Sequence, residues 1–190
     1  MTYILIGCLA FIIGHTCDIV AVKRIPWVKP AVWIIGIILY AYSLVMLSIQ
    51  SDTLSLPSWT VWPGLILLLI SASFFTYSLF VNLPFRKTYI ATGFSEKLVR
   101  NRMYSLMRHP GVIFFCLFLI SLVLISRSYL MLLATPIYIF LDIVLVVIQD
   151  KVFFVKMFDE YSDYQKATPM FLPNRQSINT FLNSIKQSRT

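Results

Sequence analysis

The sequence predicts an all-α, polytopic membrane protein with five transmembrane helices, and three observations lead there. Of the 190 residues, 58% are apolar and only 13% charged, against about 25% charged in an ordinary soluble domain. The apolar residues gather into five runs, most of them close to the roughly 20 residues that a helix needs to cross a hydrocarbon core. The Lys and Arg residues concentrate in alternate gaps between those runs, as cytoplasmic loops require. Mean hydropathy is +0.80. These observations leave no room for a separate soluble catalytic domain. The net charge of +8 is read as attraction to an anionic membrane face, with no nucleic acid as partner.

Tyr3 to Val22 forms the first span and ends at Lys23 and Arg24. No basic residue precedes it as a cleaved signal peptide would require, so it is read as retained. Pro30 to Ile49 is the second span, closed by Gln50, Ser51 and Asp52, and Val61 to Leu83 is the third. Pro84 to Met107 is too polar to cross and makes the longest connection. Gly111 to Ile125 and Tyr129 to Ile148 are the fourth and fifth spans, and the link of Ser126, Arg127 and Ser128 is short enough to force an antiparallel helical hairpin. Beyond Pro173 the chain turns polar. There Ile178, Phe181, Leu182 and Ile185 recur at helical spacing behind a cap candidate at Ser177, which predicts a short interfacial helix. The chain thus divides into three N-terminal helices over 1–83, a loop, hairpin and C-terminal region over 84–173, and a tail over 174–190.

With five spans, every basic residue except Arg127 falls on one side of the membrane. That asymmetry places the N-terminus outside and the C-terminus in the cytoplasm. The protein is expected in the plasma membrane of a prokaryote or the endoplasmic reticulum of a eukaryote. Trp27, Trp33, Trp59 and Trp62 read as interfacial anchors. Cys8, Cys17 and Cys116 lie inside apolar runs without metal-ligand spacing, so no metal is expected.

An ionisable group inside a span is costly and therefore a candidate for function. His15 and Asp18 share a face near the cytoplasmic end of span one and could pair with each other or with a polar ligand. Asp142 lies about 12 Å from Asp150 along span five and should face the bundle interior. Arg108, His109 and Pro110 open span four, while Gln149 and Asp150 close span five. The hairpin brings these two groups to one membrane face. Pro110 suits a first helical turn, whose free N–H groups suit an anion. Tyr161 and Tyr164, followed by Pro169 and Pro173, suggest an amphipathic helix that stops and folds back at the interface.

Over about residues 97 to 173 the chain resembles the isoprenylcysteine carboxyl methyltransferases and their phospholipid methyltransferase relatives. That family reads Leu-Val, Gly-Pro-Tyr and Arg-His-Pro-x-Tyr, where this chain has Leu98-Val99, Arg102-Met103-Tyr104 and Arg108-His109-Pro110-Gly111-Val112. The family's Glu-Glu pair, Tyr-x-x-Tyr and Val-Pro-Arg-Phe-Ile-Pro correspond to Gln149-Asp150, Tyr161 with Tyr164, and Thr168-Pro169-Met170-Phe171-Leu172-Pro173.

The resemblance implies an integral membrane enzyme that binds S-adenosylmethionine at the cytoplasmic ends of the last two spans and methylates a lipophilic or lipid-anchored acceptor. It implies cofactor contacts from Tyr104, Arg108, His109, Pro110, Gln149 and Asp150, with Asp150 in place of an acidic residue and Arg108 holding the polar surroundings. Asp142 and Arg102 are the substrate-binding candidates. No general acid or base is expected, because the sulfonium already activates the methyl group. The chain departs from the pattern at Arg102, Val112, Gln149 and Met170, the last replacing the Arg that lies near the substrate carboxylate in carboxyl methyltransferases. These departures motivate the alternative of a catalytically degenerate relative that binds lipid or a membrane partner. A transporter or a nicotinamide-dependent reductase would be the other classes, and no internal repeat favours the first.

Overall fold

The computed structural model describes residues 1–23, 25, 28–50, 52–83 and 98–187. The expectations that fall on Arg24, Trp27, Arg86, Lys87 and Lys97, on most of the connection from Pro84 to Met107, and on the side chain of Ile185 lie outside the described residues. Among the described residues the regular structure is helical, apart from one antiparallel bridge between Thr53 and Ser128.

Among the described residues four helices are long and apolar enough to cross a membrane. They are α1 (Thr2–Val22), α2 (Val28–Ile49), the helix running from Ser58 to Val81 with α3 (Val61–Thr76) as its regular part, and the helix from Tyr129 to Met157. The last comprises α6 (Tyr129–Ile148), a π-helical stretch Gln149–Phe153 and α7 (Phe154–Met157). A fifth apolar helix, α5 (Pro110–Ser126), has 17 residues, or about 26 Å at 1.5 Å per residue. Among the described residues there are also three shorter helices, α4 (Met103–Leu106), α8 (Tyr161–Ala167) and α9 (Arg175–Gln187).

Local chemistry sets these boundaries. Pro110 occupies the first turn of α5, where its missing N–H costs nothing. Arg127 ends that helix in the left-handed region at φ 52° and ψ 26°, and its N–H closes onto the Val123 carbonyl. Ser128 then caps α6, its hydroxyl accepting from the Met131 N–H at 3.1 Å. Two residues thus turn the chain from α5 into α6, as the short link requires. The α9 cap lies at Asn174 rather than Ser177. The Asn174 side chain accepts from the Ser177 N–H at 2.8 Å, while the Ser177 hydroxyl accepts from the Asn174 N–H, a reciprocal pair that fixes the helix start three residues earlier.

The bundle has two distinct ends. At one, Tyr3 bonds to Gln50, Leu54 N–H donates to the Arg127 carbonyl and Tyr129 N–H to that of Asp52. At the other, Gln149 meets Asp18, Tyr104 meets Ser78, and α8 and α9 lie against the start of α5 and α4. Every described Lys and Arg except Arg127 belongs to this second end. The core between the ends is apolar, built from Ile4, Leu44, Leu47, Phe115, Leu119 and Met131 among others. A polar knot lies within it. The Tyr138 and Ser43 hydroxyls lie 2.7 Å apart, and both reach the Tyr3 carbonyl. Outward-facing Leu5, Ile12, Ile38, Leu69 and Phe140 are 61–69% exposed. Such a continuous apolar surface suits lipid and not water.

Candidate functional site

Asp150 is the centre of the site. It is 2% exposed and sits in the π-helical stretch that continues α6. A π turn is wider than an α turn, and such bulges often accompany function. Arg108 reaches its carboxylate with a two-pronged contact, Nε to Oδ1 at 2.9 Å and Nη2 to Oδ2 at 3.0 Å, the geometry in which an ion pair is strongest. His109 Nε2 lies 2.9 Å from Oδ1. The Tyr161 hydroxyl donates to Oδ1 at 2.6 Å, and Gln165 Nε2 donates to Oδ2 at 3.0 Å and to the Asp150 carbonyl at 2.9 Å.

Four side chains therefore converge on one carboxylate through five contacts, and it has about four lone-pair sites. The remaining Arg108 donor, Nη1, binds the Gln165 and Thr168 carbonyls at the end of α8. The backbone adds a second layer. Arg108 N–H donates to the Pro169 carbonyl at 2.9 Å, and His109 N–H to that of Met170 at 3.1 Å. The segment after α8 thus folds back onto the start of α5, as the paired prolines predict. The His109 ring stacks on Phe154, with centroids 5.9 Å apart and planes at 11°.

Tyr164 ties this cluster to α4, its hydroxyl donating to the Tyr104 carbonyl at 2.5 Å. The Tyr104 hydroxyl in turn donates to the Ser78 carbonyl at 3.2 Å. That acceptor lies in the π-helical end of the third long helix, Tyr77–Val81. Burial first, and then its bond to the Asp150 carboxylate, hold the Tyr161 hydroxyl well above its ordinary titration range. Burial also raises Tyr164, against the opposing pull of Arg108 and Arg100.

The structure brings together Tyr104, Arg108, His109, Pro110 and Asp150 among the residues singled out from sequence. Gln149 turns the other way, and its Nε2 donates to Asp18 of α1 at 2.9 Å. Asp18 thus takes Gln149 as its partner instead of His15. Asp142 lies about two turns deeper in α6, apart from this cluster. Its Oδ2 and the Tyr40 hydroxyl are buried without a hydrogen-bond partner among the described residues. Arg102 stands at the cap position that opens α4, and its Nη1 approaches the Tyr77 hydroxyl at 3.5 Å. Gln165 carried no sequence signal, because its role depends on α8 lying across the end of α6.

A test of fit to S-adenosylmethionine follows from these bonds. Asp150 has no acceptor site to spare for a ribose hydroxyl or an ammonium group, and Arg108 is committed to it. These two fit as a platform and not as direct ligands. His109 retains capacity, since no hydrogen bond reaches its Nδ1 among the described residues, and the start of α5 adjoins it. Among the described residues no cluster could hold a metal ion, and Cys8, Cys17 and Cys116 are unbridged. No family model, no curated protein and no solved structure matches the chain.

Proposed function

We propose that this protein is a five-span integral membrane methyltransferase that uses S-adenosylmethionine on a small lipophilic or lipid-anchored acceptor, with its site at the basic, cytoplasmic end of the bundle. The observation that carries the reading is the convergence at that end of Arg108, His109, Asp150 and Tyr161 with the folded-back segment 168–170. These are the same motifs through which the sequence resembles the methyltransferase family. The collection of nearly all basic residues at this end supports the orientation, and α5 is counted as the fifth span with a slight local mismatch to the bilayer.

Bound there, the cofactor would supply a methyl group already activated for displacement. The chain then has to position and to exclude water. In this scheme Arg108 and Asp150 hold the platform rigid, Phe154 fixes the His109 ring, and His109 Nδ1 offers a polar contact. No residue is assigned as acid or base.

The saturation of Asp150 favours a second reading, a catalytically silent relative that keeps the fold and binds lipid. Calorimetry of S-adenosylmethionine binding to the detergent-purified protein separates the two, with a nicotinamide cofactor as competitor and His109→Ala as control. Methyltransferase function predicts binding that His109→Ala weakens and the nicotinamide cofactor does not displace. Absence of binding at millimolar cofactor to folded protein would overturn it in favour of the silent relative.

A further inference from the structure

A cavity of about 450 Å³ opens between the end of the third long helix, the turn into α4, and α9. Its walls are of two kinds. Phe74, Met103 and Phe181 are apolar, while Asn101, Arg102 and Ser184 are polar, and among the described residues no acidic side chain lines it. Arg102 enters with its backbone at φ 52° and ψ −126°, a conformation that favours glycine and costs on the order of 1–3 kcal/mol for other residues. Its guanidinium carries five donors and among the described residues makes one long side-chain contact, to Tyr77 at 3.5 Å.

From this cavity an apolar track leads away along one helix face. Phe74, Ile70 and Ile66 follow at intervals of four residues and are 45%, 47% and 61% exposed. They extend about 12 Å from the basic end toward the middle of the bundle. On the opposite side, α9 contributes Phe181 to the cavity and leaves Ile178 and Leu182 facing outward, as a helix lying in the membrane interface does.

We propose that this cavity binds the phosphate head of an anionic membrane lipid, paired with Arg102, with an acyl chain laid along Phe74, Ile70 and Ile66. Among the described residues no carboxylate pairs with Arg102, a cation so placed recruits an anion, and the guanidinium fork suits phosphate. The track selects an amphiphile over a free anion. The basic end of the bundle lies where an anionic leaflet would meet it. Lipid binding here requires neither cofactor nor methyl transfer and stands if that reading fails.

The test is binding of a short-chain fluorescent phosphatidic acid to the detergent-purified full chain. Unlabelled phosphatidic acid, phosphatidylcholine, a fatty acid of the same chain length and inorganic phosphate serve as competitors. The expected result is competition by unlabelled phosphatidic acid alone, and affinity reduced about tenfold or more in Arg102→Gln. Arg102→Gly is the second variant, because glycine adopts the observed backbone without strain. It should fold at least as well as the parent and lose the same affinity. Undiminished binding in both variants would overturn the proposal. So would equal competition by the fatty acid, which would mean no phosphate preference, or by inorganic phosphate, which would mean no role for the chain.

Discussion

The carboxylate of Asp150 shows what a single residue can hold together. It ties α5, α6 and α8 to one point, and Arg108 extends the tie to the backbone after α8. Removing its charge would leave the Arg108 guanidinium, with a side chain only 10% exposed, without an anion, a loss of about 3–5 kcal/mol. Asp150→Asn should therefore lower the chemical-denaturation midpoint strongly and expose the 168–187 region to protease. His109→Ala leaves Arg108, Tyr161 and Gln165 on the carboxylate and should cost only about 1–2 kcal/mol. The same measurement on both variants checks the ordering.

Tyr161 adds a pH dependence. Its hydroxyl titrates higher in the folded protein than in the unfolded chain, so the folded state holds the proton more tightly. The corresponding stability is full below about pH 10 and declines as the pH rises beyond it. An alkaline absorbance titration should show Tyr161 and Tyr164 ionising late, together with loss of structure, and Tyr161→Phe should remove the Tyr161 share of that coupling.

At the scale of elements, Arg102 is conspicuous because the resembling family has Gly in its place and the backbone there adopts a glycine conformation. Relief of that strain predicts that Arg102→Gly raises stability by roughly 1 kcal/mol, read as an upward shift of the denaturation midpoint. The α9 helix depends on its reciprocal cap, with Asn174 accepting from Ser177. Asn174→Ala should cost α9 about 1 kcal/mol, seen as faster amide exchange over Arg175–Gln187 with little change in α5 or α6.

At the scale of the whole molecule, close helix approach decides stability. A methyl group on Gly7 would sit 2.0 Å from the Tyr138 hydroxyl, and one on Gly64 would meet Ile125 at 2.9 Å. Without a hydrophobic force between helices in lipid, such small residues and the Ser43–Tyr138 bond supply much of the attraction. Gly7→Ala should displace Tyr138 and destabilise the bundle by about 1–3 kcal/mol, measured by unfolding in detergent. Topology mapping with reporter fusions should place the 50–57 loop and Arg127 on one side of the membrane and the C-terminus on the other. A C-terminus on the side of Arg127 would refute the five-span arrangement.

The sequence by itself determined the helical class, the long apolar helices, the tight α5–α6 hairpin and the gathering of basic residues at one end. Each of these follows from local composition and from the short reach of two or three linking residues. It also pointed to Arg108, His109 and Asp150 as neighbours, since a hairpin must bring its two outer ends together. Only the tertiary structure decided what those neighbours do. Whether Asp150 is open to a ligand or saturated depends on Tyr161 and Gln165 arriving from α8, and that depends on the chain folding back along 168–170. Gln149 and Asp150 are adjacent in sequence yet face different partners, because successive side chains on a helix point in different directions around its axis. The cavity at Arg102 and the burial of the Asp142 carboxylate were likewise beyond local reading, since they arise from packing among helices distant in sequence.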